Sequence, residues 1–129
     1  MTPKRTLALA VLLFGLVVCV GVAASQDAAK VQPSSYRVVL ENDSVRVLEF
    51  TGRPGMGVCG SGLHSHPAHL TVLLTPAKVK VTENGKTFVG ENKAGDVFWS
   101  GPVTHETENV GGAVVRSLII EIKQPVHGR

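Results

Sequence analysis

The chain reads as an all-β domain, an antiparallel sandwich or barrel, and three observations predict it. From Tyr36 onward, short runs rich in Val, Ile, Thr and aromatic residues alternate with clusters of Gly, Pro, Asn and Asp. No stretch after residue 30 keeps a helical period of apolar positions. Asn84-Gly85, between Val79/Val81 and Phe88, is a two-residue hairpin signal because both positions tolerate positive φ. About eight short strands at near-regular spacing then account for the folded part of the chain.

Taken in order, the chain opens on Lys4 and Arg5 followed by an uncharged run of Leu, Val and Ala that ends in Val22-Ala23-Ala24-Ser25. Small residues there suit cleavage, so residues 1–25 are expected to be a secretory signal helix and the product to be secreted or periplasmic. The alternative is a retained membrane anchor, since residues 7–24 approach the ~20 needed to span a bilayer. Residues 26–35 are polar, carry Pro33 and read as a linker or arm. Strands are expected at 36–40, 45–51, 69–75, 78–83, 86–90, 97–100, 104–109 and 113–123, so the barrel spans 36–123. Asn42-Asp43, Lys93-Ala94-Gly95-Asp96, Gly101-Pro102 and Gly111-Gly112 mark turns between them. Residues 52–62 hold five glycines and lead straight into His64, as a loop able to approach a ligand. Residues 124–129 form a polar tail whose His127 is assigned no role.

Charge and cysteines remove several function classes. The full chain carries 13 Lys plus Arg against 10 Asp plus Glu. Loss of Lys4 and Arg5 with the leader brings the net charge to about +1. With no basic stripe and few aromatics, nucleic acid is not an expected partner. Of the two cysteines, Cys19 lies in the leader, leaving Cys59 without a disulfide partner. Cys59 reads first as a small buried apolar residue and second as a soft ligand or reactive thiol. No GxxxxGK[ST] loop, GxSxG elbow or CxxC pair is present.

Four of the five histidines fall in two places, His64-Ser65-His66-Pro67-Ala68-His69 and Thr104-His105-Glu106. In an extended Leu63–His66 segment, side chains alternate, so His64 and His66 project to one side. His105, from a distant strand, is the natural third imidazole. Three neutral imidazoles suit Fe, Mn, Ni, Cu or Zn and leave coordination positions open to water or substrate.

These residues resemble the two motifs of the cupins, G(X)5HXH(X)3-4E(X)6G and G(X)5PXG(X)2H(X)3N. The first is matched by Gly57 through His64-Ser65-His66, the second by Gly95 through His105 to Asn109. The resemblance covers residues 36–123 and implies a jelly-roll β-barrel holding one divalent transition metal on His64, His66 and His105. The departures are specific. Gly57 stands one residue too far from His64, and Gly95 one residue too near His105. Leu70 and Thr71 occupy the positions of the expected glutamate, and the following glycine falls on Ala77 or Lys78. What remains is similar to the three-histidine set of thiol-dioxygenase-like cupins, with His69 as a candidate fourth ligand.

Alternation groups His69 with Thr71 and Leu73, opposite a wholly apolar row of Leu70, Val72 and Leu74. If that apolar row faces the core, His69 is exposed. His105, Thr107 and Asn109 share one face, which turns Glu106 and Glu108 to solvent. Glu49 and Glu121 read as wet-side glutamates, and Trp99 with Phe98 as barrel packing. The expectation is an exported metal-binding protein with oxygenase-like or isomerase-like chemistry on a small molecule. The alternative is a non-catalytic module that binds or senses a small ligand or metal; no catalytic residue is assigned. The apolar content of 113–122 suggests a homodimer.

Overall fold

The computed structural model describes residues 26–55 and 62–124. Residues 1–25, expected to be a leader and holding Cys19, the part of the glycine-rich loop holding Gly57 and Cys59, and His127 lie outside the described residues. Among the described residues no helix is long and apolar enough to cross a membrane.

One helical turn, α1 (Ala28–Val31), is followed by nine strands: β1 (Tyr36–Glu41), β2 (Val45–Gly52), β3 (Leu63–His66), β4 (His69–Leu73), β5 (Ala77–Glu83), β6 (Lys86–Asn92), β7 (Val97–Ser100), β8 (Val103–Asn109) and β9 (Val115–Ile122). They form a five-stranded sheet in the order β1-β2-β9-β4-β7 and a four-stranded sheet in the order β3-β8-β5-β6. All paired strands are antiparallel. The strand beyond the expected eight is β3, the histidine segment itself, too short and polar to stand out by composition.

The turns behave as their residues dictate. Asn84 and Gly85 have φ of 50° and 72° and close the β5–β6 hairpin with Glu83 opposite Lys86. Asn42 Oδ1 accepts from the backbone N–H of Ser44 and Val45, a side-chain-closed turn between β1 and β2.

The inner rows of the two sheets meet in a core of two parts. Leu48 and Ile119 pack with Tyr36 and with Ala28 of α1. Leu73, Ala77 and Val115 form the second part, and Phe50 touches both. Complete burial of a side chain such as Leu48 contributes roughly 2 kcal/mol. Residues 26–35 are thus a packed arm. Asp27 caps α1 through the Lys30 N–H, Ala28 and Gln32 are buried, and Gln26 O accepts from Ser65 N at 2.7 Å.

Two expectations about parity are corrected. His69, Thr71 and Leu73 form the inner row of β4, with His69 only 3% exposed, and Leu70 and Val72 lie on the outer face. The cause is a sheet change: β3 belongs to the four-stranded sheet and β4 to the five-stranded one, with Pro67-Ala68 as the corner. The apolar outer row is covered laterally, Leu70 standing opposite Ile120 and Val72 opposite Leu118 on β9. Trp99 does not pack the barrel either. On the edge strand β7 it stands opposite Leu70 in the outer row and is 63% exposed, whereas Phe98 stands opposite the inward Thr71.

Candidate metal centre

The three expected histidines come together. β3 and β8 pair with His64 directly opposite His105, and the two-residue period of β3 puts His66 on the same inner face. Ring centroids lie 4.6 Å apart for His64 and His105, 5.0 Å for His64 and His66, and 5.7 Å for His66 and His105. One ring nitrogen from each of the three lies within 4.8 Å of the others. His69 enters from the facing sheet with its ring 5.0 Å from that of His66, beside the three-nitrogen cluster and not within it.

Hydrogen bonds fix which nitrogen His64, His66 and His69 present. Carbonyls only accept, so His64 Nδ1 donates to Gly62 O at 3.0 Å and His69 Nδ1 donates to Pro67 O at 2.7 Å. His66 Nδ1 donates to the Glu121 carboxylate at 2.8 Å. Each of these three rings therefore turns its Nε2 away from its Nδ1 partner. Tyr36 Oη donates to His64 Nε2 at 2.9 Å. His66 Nε2 is buried with no hydrogen-bond partner. Such an orphan costs about 1–3 kcal/mol unless water or an ion meets it.

Burial sets the charge state of His64, His69 and His105. It pushes His64 down to about 4, despite the Gly62 carbonyl, with the neighbouring imidazoles adding to the fall. It pushes His105 down to about 3, reinforced by the other three histidines. His69 moves in the same direction for the same first reason. Burial also holds the Tyr36 hydroxyl well above the usual phenol range. At neutral pH His64 and His105 are therefore neutral imidazoles, the form that binds metal ions.

A carboxylate not anticipated from sequence stands behind the cluster. Glu121 is 2% exposed, not on a wet face as expected. It continues the inward row Val115, Ser117, Ile119 of β9 and stands opposite Arg46 and His69. Arg46 Nε donates to Glu121 Oε2 at 2.6 Å, and Arg46 Nη2 reaches Asp27 Oδ2 at 2.6 Å. A chain of charges thus runs from the N-terminal arm through Arg46 and Glu121 to His66. The signal for Glu121 was its phase with Ser117 and Ile119, but Leu118, Ile120 and Ile122 on the other row made both faces of β9 look apolar. Glu49 does lie on the outer row, paired with Arg37 and Arg116. Glu106 is exposed, and Glu108 pairs with Lys80.

The donor set fits a transition metal. It comprises three converging imidazoles, one held by a carboxylate in the manner that orients metal-binding histidines and presenting a buried nitrogen without a partner.

No protein-family model matches the chain, and no curated protein does. Solved structures do. A cupin domain from Bordetella pertussis Tohama I is 22% identical with a TM-score of 0.63, the likeness covering 69% of this chain and 92% of that one. An RmlC-like cupin family protein with a double-stranded β-helix fold from Methanocaldococcus jannaschii has a TM-score of 0.56 at 9% identity, covering 70% of this chain and 80% of that one. An uncharacterized protein with a double-stranded β-helix domain from Klebsiella pneumoniae has a TM-score of 0.55 at 23% identity, covering 72% and 78%. With its two facing antiparallel sheets, the chain has the double-stranded β-helix fold of the cupins.

Proposed function

We propose that the protein binds one divalent transition metal through His64, His66 and His105 and brings it to a small molecule inside the barrel. The observation that carries this reading is the buried, unpartnered Nε2 of His66, held by Glu121 on its far side and standing with the His64 and His105 rings. A bound iron would supply dioxygen chemistry, and a redox-inert ion would polarise a bound oxygen, the oxygenase-like and isomerase-like classes respectively. His69, buried at the edge of the cluster, would face the small molecule or add a fourth nitrogen. The leader-like residues 1–25 support export to a secreted or periplasmic location, where metal availability decides which ion is held.

The test is elemental analysis of the purified protein after exposure to each candidate metal. One ion per chain, lost in His105→Ala, is the expected result. No stoichiometric metal with any of Fe, Mn, Ni, Cu or Zn would overturn it.

A second reading, a non-catalytic module that binds or senses a small ligand or metal, draws on one observation. Glu121, the buried carboxylate beside the cluster, is engaged by His66 and Arg46 and is not free to act as a base. Metal binding without turnover of any small-molecule panel favours that reading.

A further inference from the structure

A cavity of about 590 Å³ lies along the edge strands β6 and β7, lined in part by His69 and His105. An inner cavity of about 180 Å³ shares those histidines with it, and also Thr71, Val79, Val81 and Phe98, and reaches His66. Together they make one path from the open edge of the sandwich to the histidine cluster. Its outer part is framed by Phe88, opposite Val81 on β5, and Phe98, opposite Thr71 on β4, aromatic rings contributed by the two different sheets.

The charges along this path are one-sided. Glu83 lines the outer cavity, standing opposite His105 on β8. No Lys or Arg belongs to the described lining of either cavity. Lys86, across the hairpin from Glu83, is exposed and outside the lining. A carboxylate or phosphate drawn into this space would lose water beside a like charge and gain no cationic side chain. An aromatic ring, by contrast, meets Phe88, Phe98 and the valines, and a cation is favoured by the ring faces and by Glu83. At the inner end the polar groups are imidazole nitrogens and the hydroxyls of Tyr36, Thr71, Thr107 and Ser117, none of them charged as a carboxylate or ammonium, and a neutral hydroxyl can pair with them.

We infer that the pocket takes a small aromatic molecule of the phenol class, uncharged or cationic, and discriminates against aromatic carboxylates and phosphates. This deepens the proposed function and rests on its reading that the small molecule occupies the cavity reaching the histidines.

The test is calorimetric titration of the full chain, metal-free and zinc-loaded, with 4-ethylphenol, tyramine and 4-hydroxyphenylacetate, which differ in charge at one end of the same ring. The metal-free titrations read side-chain preference alone, since a carboxylate cannot then bond a metal. There, 4-ethylphenol and tyramine are expected to bind at least about tenfold more tightly than 4-hydroxyphenylacetate. Glu83→Lys should reverse the order of tyramine and 4-hydroxyphenylacetate while changing 4-ethylphenol by less than about threefold. Phe98→Ala, on an edge strand, should weaken all three. Binding of the anion as tight as that of 4-ethylphenol, no binding of 4-ethylphenol, or an unchanged order in Glu83→Lys would each overturn the inference. Metal content measured on the same samples separates the two readings. Stoichiometric metal without phenol binding sinks the ligand class alone; the expected order in a protein that takes up no metal sustains it and sinks the metal site.

Discussion

His66 Nδ1 and Glu121 Oε1 lie 2.8 Å apart, both side chains withdrawn from solvent, joined across the barrel from β3 to β9. The same carboxylate holds Arg46, which in turn holds Asp27 on the arm. Orientation of His66 is therefore tied to the packing of the N-terminal segment.

Glu121→Ala removes the acceptor for His66 and leaves Arg46 with Asp27 alone. Loss of such an outer partner typically costs 10–100-fold in metal affinity, and breaking a buried ion pair costs about 3 kcal/mol or more. Glu121→Gln keeps an oxygen for Nδ1 and should lose less affinity. Chelator competition and thermal melting measure both effects, and an unchanged affinity in the alanine variant would remove Glu121 from the site.

What the sequence disclosed and what it hid divide along the periodicity of strands. Alternation within β3 and within β8 put His64, His66, His105, Thr107 and Asn109 inside, because each set lies on a single strand. Alternation could not carry through Pro67-Ala68, where the chain changes sheets, so the orientation of His69 was lost there. Glu121 was hidden for a different reason: β9 lies between β2 and β4, both its faces are apolar, and no row of polar residues marks the outside. Tyr36 opens its strand next to a polar arm, and nothing local to it points at His64, 28 residues away.

The depressed histidines make the metal-free protein acid-sensitive in a defined window. His64 and His105 fall to about 4 and about 3 in the fold, against an ordinary 6.5. The folded state thus binds fewer protons than the unfolded state between those values. Their contribution is complete above about pH 6.5 and is lost as pH falls through the folded values, by up to about 1.4 kcal/mol per pH unit for each histidine. The urea midpoint should drop between pH 7 and pH 5, above the range where ordinary carboxylates titrate. His105→Gln should reduce that drop, and equal midpoints at the two pH values would contradict the burial argument.

Asn109 matches the last position of the second motif, yet its work here is structural. Its Nδ2 donates to Gly52 O at 3.0 Å and to Ala113 O at 2.7 Å, and its Oδ1 accepts from Gly111 N at 2.9 Å. Asn109→Ala orphans these groups and should cost about 1–3 kcal/mol. Asn109→Asp should cost more, because it turns a carboxylate oxygen toward two carbonyls. Neither variant should change the metal held per folded chain, and loss of metal from a folded Asn109→Ala protein would show the residue acting on the site.

Tyr36 gives the sharpest test of how the site meets an ion. Its hydroxyl donates to His64 Nε2 at 2.9 Å, so the lone pair proposed for the metal is already engaged in the metal-free protein. Burial holds the phenol well above its ordinary range, which makes a phenolate ligand costly and leaves the hydroxyl as a competitor for His64. Tyr36→Phe removes that competitor. The metal-free variant should lose about 1 kcal/mol of stability, since a buried nitrogen goes unpartnered. Its metal affinity should rise by roughly fivefold, because the hydrogen bond no longer has to be given up when His64 turns to the ion. Calorimetry with zinc on the two proteins decides the matter. Weaker binding by the phenylalanine variant would mean that the tyrosine oxygen belongs among the ligands.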